Sequence, residues 1–542
     1  MTGVRPYGFL TILCAILFLP GITSISPIDR DEARFMQATK QMIETGDLVH
    51  ISFQDMPRNK KPVGIYWLQV GAVKFTGTQN LAAPWPYRLP SVIGAWLAVL
   101  AVFRFGSRLF DTKTGLTAAT ILATSVIVVA EAHIAKTDAV LLAIVTIAML
   151  ILSKFYISRE EHTPPLITAL LFWTMLGLGF LIKGPLILMV AGATITALCL
   201  ADRDATWLKA LHAESGIPLA IAVVLPWALA TSTGENGSFF TDAITQDLLP
   251  KLAGGQESHG ALPGVHLFAL FVTAWPWSAL IPFAGILAWR QRATPAIRFC
   301  LAWLLPSWII FELIPTKLPH YTMPLFPALM LLVAASFCEL KNLQRLVNKP
   351  AGVLFRALSA IVSMMLGASV VWLAHIYGQS ISVAILAAIV ASGAGILGFF
   401  ALDRFRISTS IASLALLSLL LNVMIFGNVV PNLDKLAVSQ RLAKISEPYR
   451  DQNTVIAIAG FHEPSAVFLL GTKTRLTSWD GALGLLLSDK ADLIAVPKND
   501  IPRIENELAR WGRKMNKLAE VKGHNYSKGE GVHLVLMSAS PA

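Results

Sequence analysis

The sequence predicts an all-α polytopic membrane protein of about thirteen transmembrane helices, followed by a small extracytoplasmic α/β domain. Three observations predict it. Of 542 residues, 55% are hydrophobic and only 14% charged, and the mean hydropathy of +0.61 is far above the soluble range. Apolar runs long enough to cross a bilayer as helices recur along the chain. After residue 431 these runs shorten to strand length.

The expected spans lie near residues 7–24, 89–105, 115–132, 139–157, 165–182, 185–201, 216–231, 265–289, 299–314, 321–338, 353–374, 380–402 and 408–430. A cleaved signal peptide is the plainer reading of the first 25 residues, but no clear small-x-small cleavage site precedes the charged loop that follows. Basic residues orient the bundle. Arg104, Arg108 and Lys113 follow the second span, Lys154 and Arg159 the fourth, Arg203 and Lys209 the sixth, and Arg290, Arg292 and Arg298 the eighth. Lys341, Arg345, Lys349 and Arg356 follow the tenth, and Arg404 and Arg406 the twelfth. The positive-inside bias then puts the N-terminus in the cytoplasm and the C-terminal domain outside.

Two domains are expected: residues 1–431, with outer loops 25–88 and 232–264, and residues 432–542. Within the first outer loop, Phe35, Met36, Thr39, Met42 and Ile43 recur at helical spacing and Gly46 is a stop, which predicts an interfacial helix over 31–45. Val63 to Phe75 is too short to span and predicts a second interfacial helix, with Tyr66 and Trp67 at headgroup level. In the second outer loop, Gly254 to Gly260 has the composition of a mobile segment. The C-terminal domain is expected to hold strands at 455–459, 493–496 and 532–537 and a helix over 501–518.

Cys14, Cys199, Cys300 and Cys338 all fall in apolar runs, so they form neither a disulfide framework nor a metal pattern. The net charge of +11 resides in the inner loops and tail, where anionic lipid headgroups are the natural partner. No nucleic-acid motif is present.

Charge is concentrated in the first outer loop, at Asp29, Arg30, Asp31, Glu32, Arg34, Arg58, Lys60 and Lys61. Carboxylates and cations beside apolar helices suit a substrate with a phosphate headgroup and a hydrocarbon tail. Asp31 and Glu32 are the candidate carboxylates for activating a hydroxyl nucleophile, although acidic residues at a helix N-terminus are favoured by the dipole alone. Asp138 stands at the mouth between two spans, where an N-cap explains it as well as catalysis does. Arg58, Lys60, Lys61, Lys183 and Lys317 are cations suited to phosphate oxygens or, more simply, to interfacial snorkelling. His259, His266 and His320 are candidate ligands for a divalent metal. Nothing in the pattern demands a cofactor, because no fixed Cys/His/carboxylate spacing accompanies them.

Asp31-Glu32-Ala33-Arg34-Phe35, Met42 to Asp47, Lys61-Pro62 with Tyr66-Trp67, Lys136-Thr137-Asp138, Lys183-Gly184-Pro185, Thr316 to Tyr321 with Pro324, and Glu463-Pro464-Ser465 occur in that order. Together they resemble the bacterial branch of the protein mannosyltransferase superfamily, which includes the lipid A aminoarabinose transferases. The resemblance implies a type C glycosyltransferase of the bacterial inner membrane that takes a sugar from a polyprenyl-phosphate donor; a monomer is expected. The acceptor would be lipid A, lipopolysaccharide or another envelope glycan on the periplasmic side. A protein O-mannosyltransferase-like enzyme and a lipid-linked sugar transporter are the alternatives. It also implies that Asp31 is the catalytic carboxylate, that Asp138 assists, and that Arg34 and Lys61 hold the donor phosphate. Lys60 stands where aminoarabinose transferases carry a Glu that contributes to a metal site, so both metal use and the sugar are open.

Overall fold

The computed structural model describes residues 3–159, 163–232, 239–250, 260–339, 348–404, 407–451 and 453–541. Every apolar segment expected to span is helical. Among the described residues, nine helices are long and apolar enough to cross a membrane, or up to eleven if each of two bent pairs counts as one span. The remaining two apolar helices are shorter: α1, Arg5–Phe18, and Leu186–Asp202.

The segment after α1 holds the two expected helices, but Tyr66 is fully buried and not at headgroup level. The segment carries α2 (Asp31–Thr45) and α3 (Gly64–Thr76), with a small hairpin of β1 (Ser52–Phe53) and β2 (Met56–Pro57) between them. Gly46 ends α2 at φ 76, a left-handed conformation that suits glycine. Membrane helices follow: α4 (Trp85–Leu109), the bent pair α5 (Thr112–Thr124) and α6 (Val126–Ala132), α7 (Asp138–Ile157), α8 (Leu166–Lys183), α9 (Leu186–Asp202) and α10 (Ala213–Ser232). Gly94 lets α4 touch α7, since a Cβ there would lie 2.8 Å from the Ala139 carbonyl oxygen. Gly64 does the same for α3 against the end of α8, where a Cβ would meet the Leu181 carbonyl oxygen at 2.7 Å. Both contacts draw charged helix ends together.

The C-terminal domain is a five-stranded sheet of order β4-β3-β5-β7-β6. It comprises β3 (Ile456–Ala459), β4 (Arg475–Thr477), β5 (Leu493–Pro497), β6 (Arg513–Asn525) and β7 (Glu530–Pro541). The first three strands are parallel and β7 runs antiparallel to β5 and β6. Alternation sorts the side chains: Ile456, Ile458 and Ala495 face Val438 and Leu442, whereas Ala457, Ile494 and Val496 face Leu486, Ile504 and Leu508. The helix expected over 501–518 ends at Arg510. Gly512 turns the chain at φ 64, and residues from 513 pair with β7 instead.

The amphipathic helix α2 does not lie bare on an interface. The C-terminal domain covers it through the helix Pro464–Leu470, and Met36, Val73, Tyr87, Ala135 and Phe468 form one apolar cluster across the junction. Lys40 donates to the Phe468 carbonyl oxygen at 3.0 Å and Gln37 to the Thr472 hydroxyl at 2.9 Å. The helix is therefore sandwiched, which fixes its first turn.

Candidate active site

Asp31 opens α2 and its side chain is solvent-accessible. Burial by the surrounding protein pushes its carboxyl upward, but the cations Lys136, Arg58 and Arg34 outweigh this and hold it below the usual carboxylate range. Such a group is an open, ionised carboxylate ringed by cations. The Arg58 guanidinium lies over the Phe35 ring, 5.3 Å from its centre. The backbone aims the site with some strain: Arg30, the residue before Asp31, has φ 68 and ψ −99. For a residue with a Cβ this costs about 1–3 kcal/mol, supplied by neighbouring contacts.

Glu32, the adjacent acid, points the other way. It is 1% exposed, and its two oxygens accept four hydrogen bonds: from Arg88 at 2.8 and 3.0 Å, from the Ala135 amide at 2.8 Å and from the Ile28 amide at 2.8 Å. With both oxygens committed, the expectation that Glu32 activates a hydroxyl gives way to an anchoring role. Arg88 also donates to the Ile22 and Ile25 carbonyl oxygens at 2.9 and 2.8 Å. Arg88 was missed in the sequence, although an arginine at the start of an apolar span is itself a signal.

Beside Asp31 lies a second charged group, between α6, α7, α8 and the turn Pro319–Leu325. Lys136 is 3.0 Å from Glu131 and 3.7 Å from Asp138, and Lys183 pairs with Asp138 at closer range. His320 stands among them, 3.6 Å from Glu131 and 3.8 Å from Asp138. Burial works against the Lys136 ammonium, but Glu131 and Asp138 outweigh it and hold its pKa above the usual lysine value. Lys183 also lies over the Tyr321 ring at 5.5 Å. Ser91 fixes the connecting loop by donating to the Ile134 carbonyl oxygen at 2.7 Å, and Gln69 ties it to α3 by donating to the Ala135 carbonyl oxygen at 3.2 Å. Glu131 and Lys136 carry as much of this geometry as Asp138 does, although neither stands out as a site residue in the sequence.

The remaining candidates separate. Lys60 and Lys61 are half-buried on the approach to α3, which packs on the α8 end that bears Lys183. Their neighbour Asn59 donates to Asp242 at 2.9 Å. Lys317 is turned inward: its ammonium donates to the Glu312 and Ile314 carbonyl oxygens at 2.9 and 2.5 Å, capping the helix Pro295–Leu313. That engagement replaces the expected phosphate contact. His266 is buried near Glu312 and Lys317, and His259 lies outside the described residues. Among the described residues no group of three or more His, Cys, Asp and Glu side chains is arranged to hold a metal ion. Around His320, Lys136 lies against both carboxylates and Lys183 against Asp138, while Glu131 Oε2 is buried and finds no hydrogen-bond partner among the described residues.

Residues 60–229 match the family of dolichyl-phosphate-mannose-protein mannosyltransferases. The undecaprenyl phosphate-alpha-4-amino-4-deoxy-L-arabinose arabinosyl transferase of Yersinia enterocolitica is 28% identical over 403 residues, 72% of this chain and 71% of the relative. Its counterpart in Yersinia pestis is 26% identical over 406 residues, 73% of this chain and 71% of the relative. ArnT from Cupriavidus metallidurans, solved bound to undecaprenyl phosphate, superposes with a TM-score of 0.78 at 16% identity over 99% of this chain and 98% of that one. The archaeal oligosaccharyltransferase AglB from Archaeoglobus fulgidus gives 0.54 at 10% identity over 99% of this chain and 74% of that one. Those two likenesses speak to the fold. Fold, family match and relatives together support a polyprenyl-phosphate-dependent type C glycosyltransferase of the superfamily that unites the protein mannosyltransferases with the aminoarabinose transferases.

Proposed function

We infer that the protein is an inner-membrane glycosyltransferase that moves a sugar from a polyprenyl-phosphate donor to an envelope acceptor, lipid A or another glycan, on the periplasmic side. The observation that carries this is Asp31: a solvent-open carboxylate held ionised by Lys136, Arg58 and Arg34, next to an Asp138–Lys183 pair at the end of the membrane helices. The Asp31 carboxylate takes the proton of an acceptor hydroxyl as that oxygen bonds to the anomeric carbon. The bond from that carbon to the phosphate oxygen breaks, and the polyprenyl phosphate leaves with the electron pair. Arg34, Arg58, Lys60, Lys61 and Lys183 offset its charge. Lys60 supplies that charge where aminoarabinose transferases have a metal-binding Glu. Asp138 holds Lys183 and Lys136 in place rather than accepting the proton. Glu32 and Lys317 position the scaffold.

The excess of basic residues in alternate loops supports an N-terminus in the cytoplasm and a C-terminal domain in the periplasm. A protein O-mannosyltransferase-like reaction is the second reading, favoured by the family match over residues 60–229. Mass spectrometry of lipid A, oligosaccharide, protein and carrier lipids from a deletion strain separates the two by showing which acceptor lacks a sugar. In the purified enzyme, Asp31→Asn should reduce transfer by about 10²–10⁴-fold, the usual worth of a positioned base, with the protein still inserted. Transfer at the parental rate would overturn the assignment of Asp31.

A further inference from the structure

The turn that presents Asp31 is strained, and it is gripped from the far end of the chain. Arg30 sits at φ 68 and ψ −99 with no glycine to make that easy, and such a conformation persists only where the surroundings over-determine it. Three contacts do so. The Asp29 amide donates to the Tyr526 hydroxyl oxygen at 2.5 Å, the Arg30 guanidinium donates to the Ser527 carbonyl oxygen at 2.7 Å, and the Ser465 amide donates to the Asp29 carboxylate at 3.2 Å. All three partners belong to the C-terminal domain.

The grip is itself braced. Tyr526 and Ser527 form the turn between β6 and β7, where the Ser527 amide donates to the Asn525 side-chain oxygen at 3.0 Å. The Asn525 amide group donates to Glu463 at 2.8 Å, and Glu463 precedes the helix that carries Ser465. The two gripping points therefore move as one body. From the membrane side, Glu32 is locked by Arg88. Asp31 is thus suspended between two anchors, one in each half of the protein.

We propose that the β6–β7 turn is a positioning element for sugar transfer: Tyr526 and Ser527 hold the Asp29–Arg30 turn so that the Asp31 carboxylate faces the acceptor hydroxyl. This rests on the reading of Asp31 as the base and extends it, since the C-terminal domain then contributes to the rate without touching substrate. A misplacement of about 1 Å can cost about 10²-fold in rate, so loss of one grip should be visible in turnover.

Tyr526→Phe tests this cleanly, because the ring is 41% exposed and only the hydroxyl is lost. The expected result in the purified full-length enzyme is a fall in kcat of about 10-fold, with the donor KM and the melting temperature unchanged. Adding Arg30→Gly should restore most of the rate, since glycine reaches positive φ without steric penalty and the turn no longer depends on the grip. A parental kcat in Tyr526→Phe, or a loss that Arg30→Gly leaves in place, would overturn the proposal. Asp31→Asn measured alongside separates the two readings. If it keeps transferring sugar, the assignment of the base fails and the positioning role falls with it. If it is inactive while Tyr526→Phe runs at full rate, only the positioning role fails.

Discussion

Arg88 and Glu32 form a bidentate ion pair, 2.8 and 3.0 Å long, with both side chains shut off from solvent. The pair is also the junction of three segments. Glu32 reaches the Ile28 and Ala135 amides, and Arg88 the Ile22, Ile25 and Ser26 carbonyl oxygens.

Breaking one side of that pair should cost stability first and activity as a consequence. Arg88→Met leaves a buried carboxylate without its charge partner, a change worth about 3–5 kcal/mol. The purified variant should therefore melt well below the parent in detergent. Asp31→Asn, one residue from Glu32 but open to solvent, should melt with the parent. Equal melting temperatures for Arg88→Met and the parent would show that the pair does not hold the loop.

Two lysines that look alike in the sequence should separate in assay. Lys317 caps carbonyl oxygens at a helix end, so Lys317→Met strips donors from buried acceptors at about 1–3 kcal/mol and should lower the melting temperature without changing the donor KM. Lys61 stands half-buried on the approach to α3, and Lys61→Ala should raise the donor KM by roughly 10-fold, the loss of one charge-assisted hydrogen bond. If the lipid donor binds Lys61→Ala as tightly as the parent, the phosphate assignment is wrong.

Lys136 should set the acid limit of the reaction. Its charge is the first of those that hold Asp31 ionised against burial. Removing it raises the Asp31 pKa, so more of the base is protonated at any given acidic pH. Lys136→Met should therefore shift the acid limb of the kcat profile to higher pH and recover rate as pH increases, while Lys136→Arg keeps the limb in place. An acid limb that stays put in Lys136→Met would show that the cation does not act on Asp31.

Much of this architecture was legible in the residues, and the rest required distance information. The apolar runs and the 31–45 and 63–75 helices follow from local periodicity, and the stop signal Gly46 marks the end of the first. The segment after Ile501 misled because Ile504 and Leu508 are helical while Met515 and Ala519 belong to a strand whose partner lies beyond the next turn; pairing overrides local pattern there. Glu32 and Asp31 are equivalent as letters. Only Arg88, 56 positions away, makes one an anchor and leaves the other free to react. Lys317 is a similar case, since its carbonyl partners are backbone atoms that no side-chain pattern reveals.

Asp29 makes the junction between the two halves responsive to pH. Burial pushes its carboxyl up to about 7; Glu463 adds like charge, and the Ser465 hydrogen bonds and Arg34 pull back only in part. Undocked in water, an aspartate titrates near about 3.9. Between these two values the undocked form gives up its proton first, so the docked form binds more protons and loses relative stability as pH rises. Above about 7 both forms are ionised and the loss levels off. The grip on the Arg30 turn should therefore be tightest at mildly acidic pH. Hydrogen exchange of the Asp29 to Asp31 amides, corrected for intrinsic rates, should show less protection at about pH 8 than at about pH 5. Asp29→Asn stays neutral throughout and should flatten that dependence, leaving the amides protected at the higher pH. If the asparagine variant loses protection over the same window, another group is responsible, and the carboxyl at Asp29 is not what couples the C-terminal domain to pH.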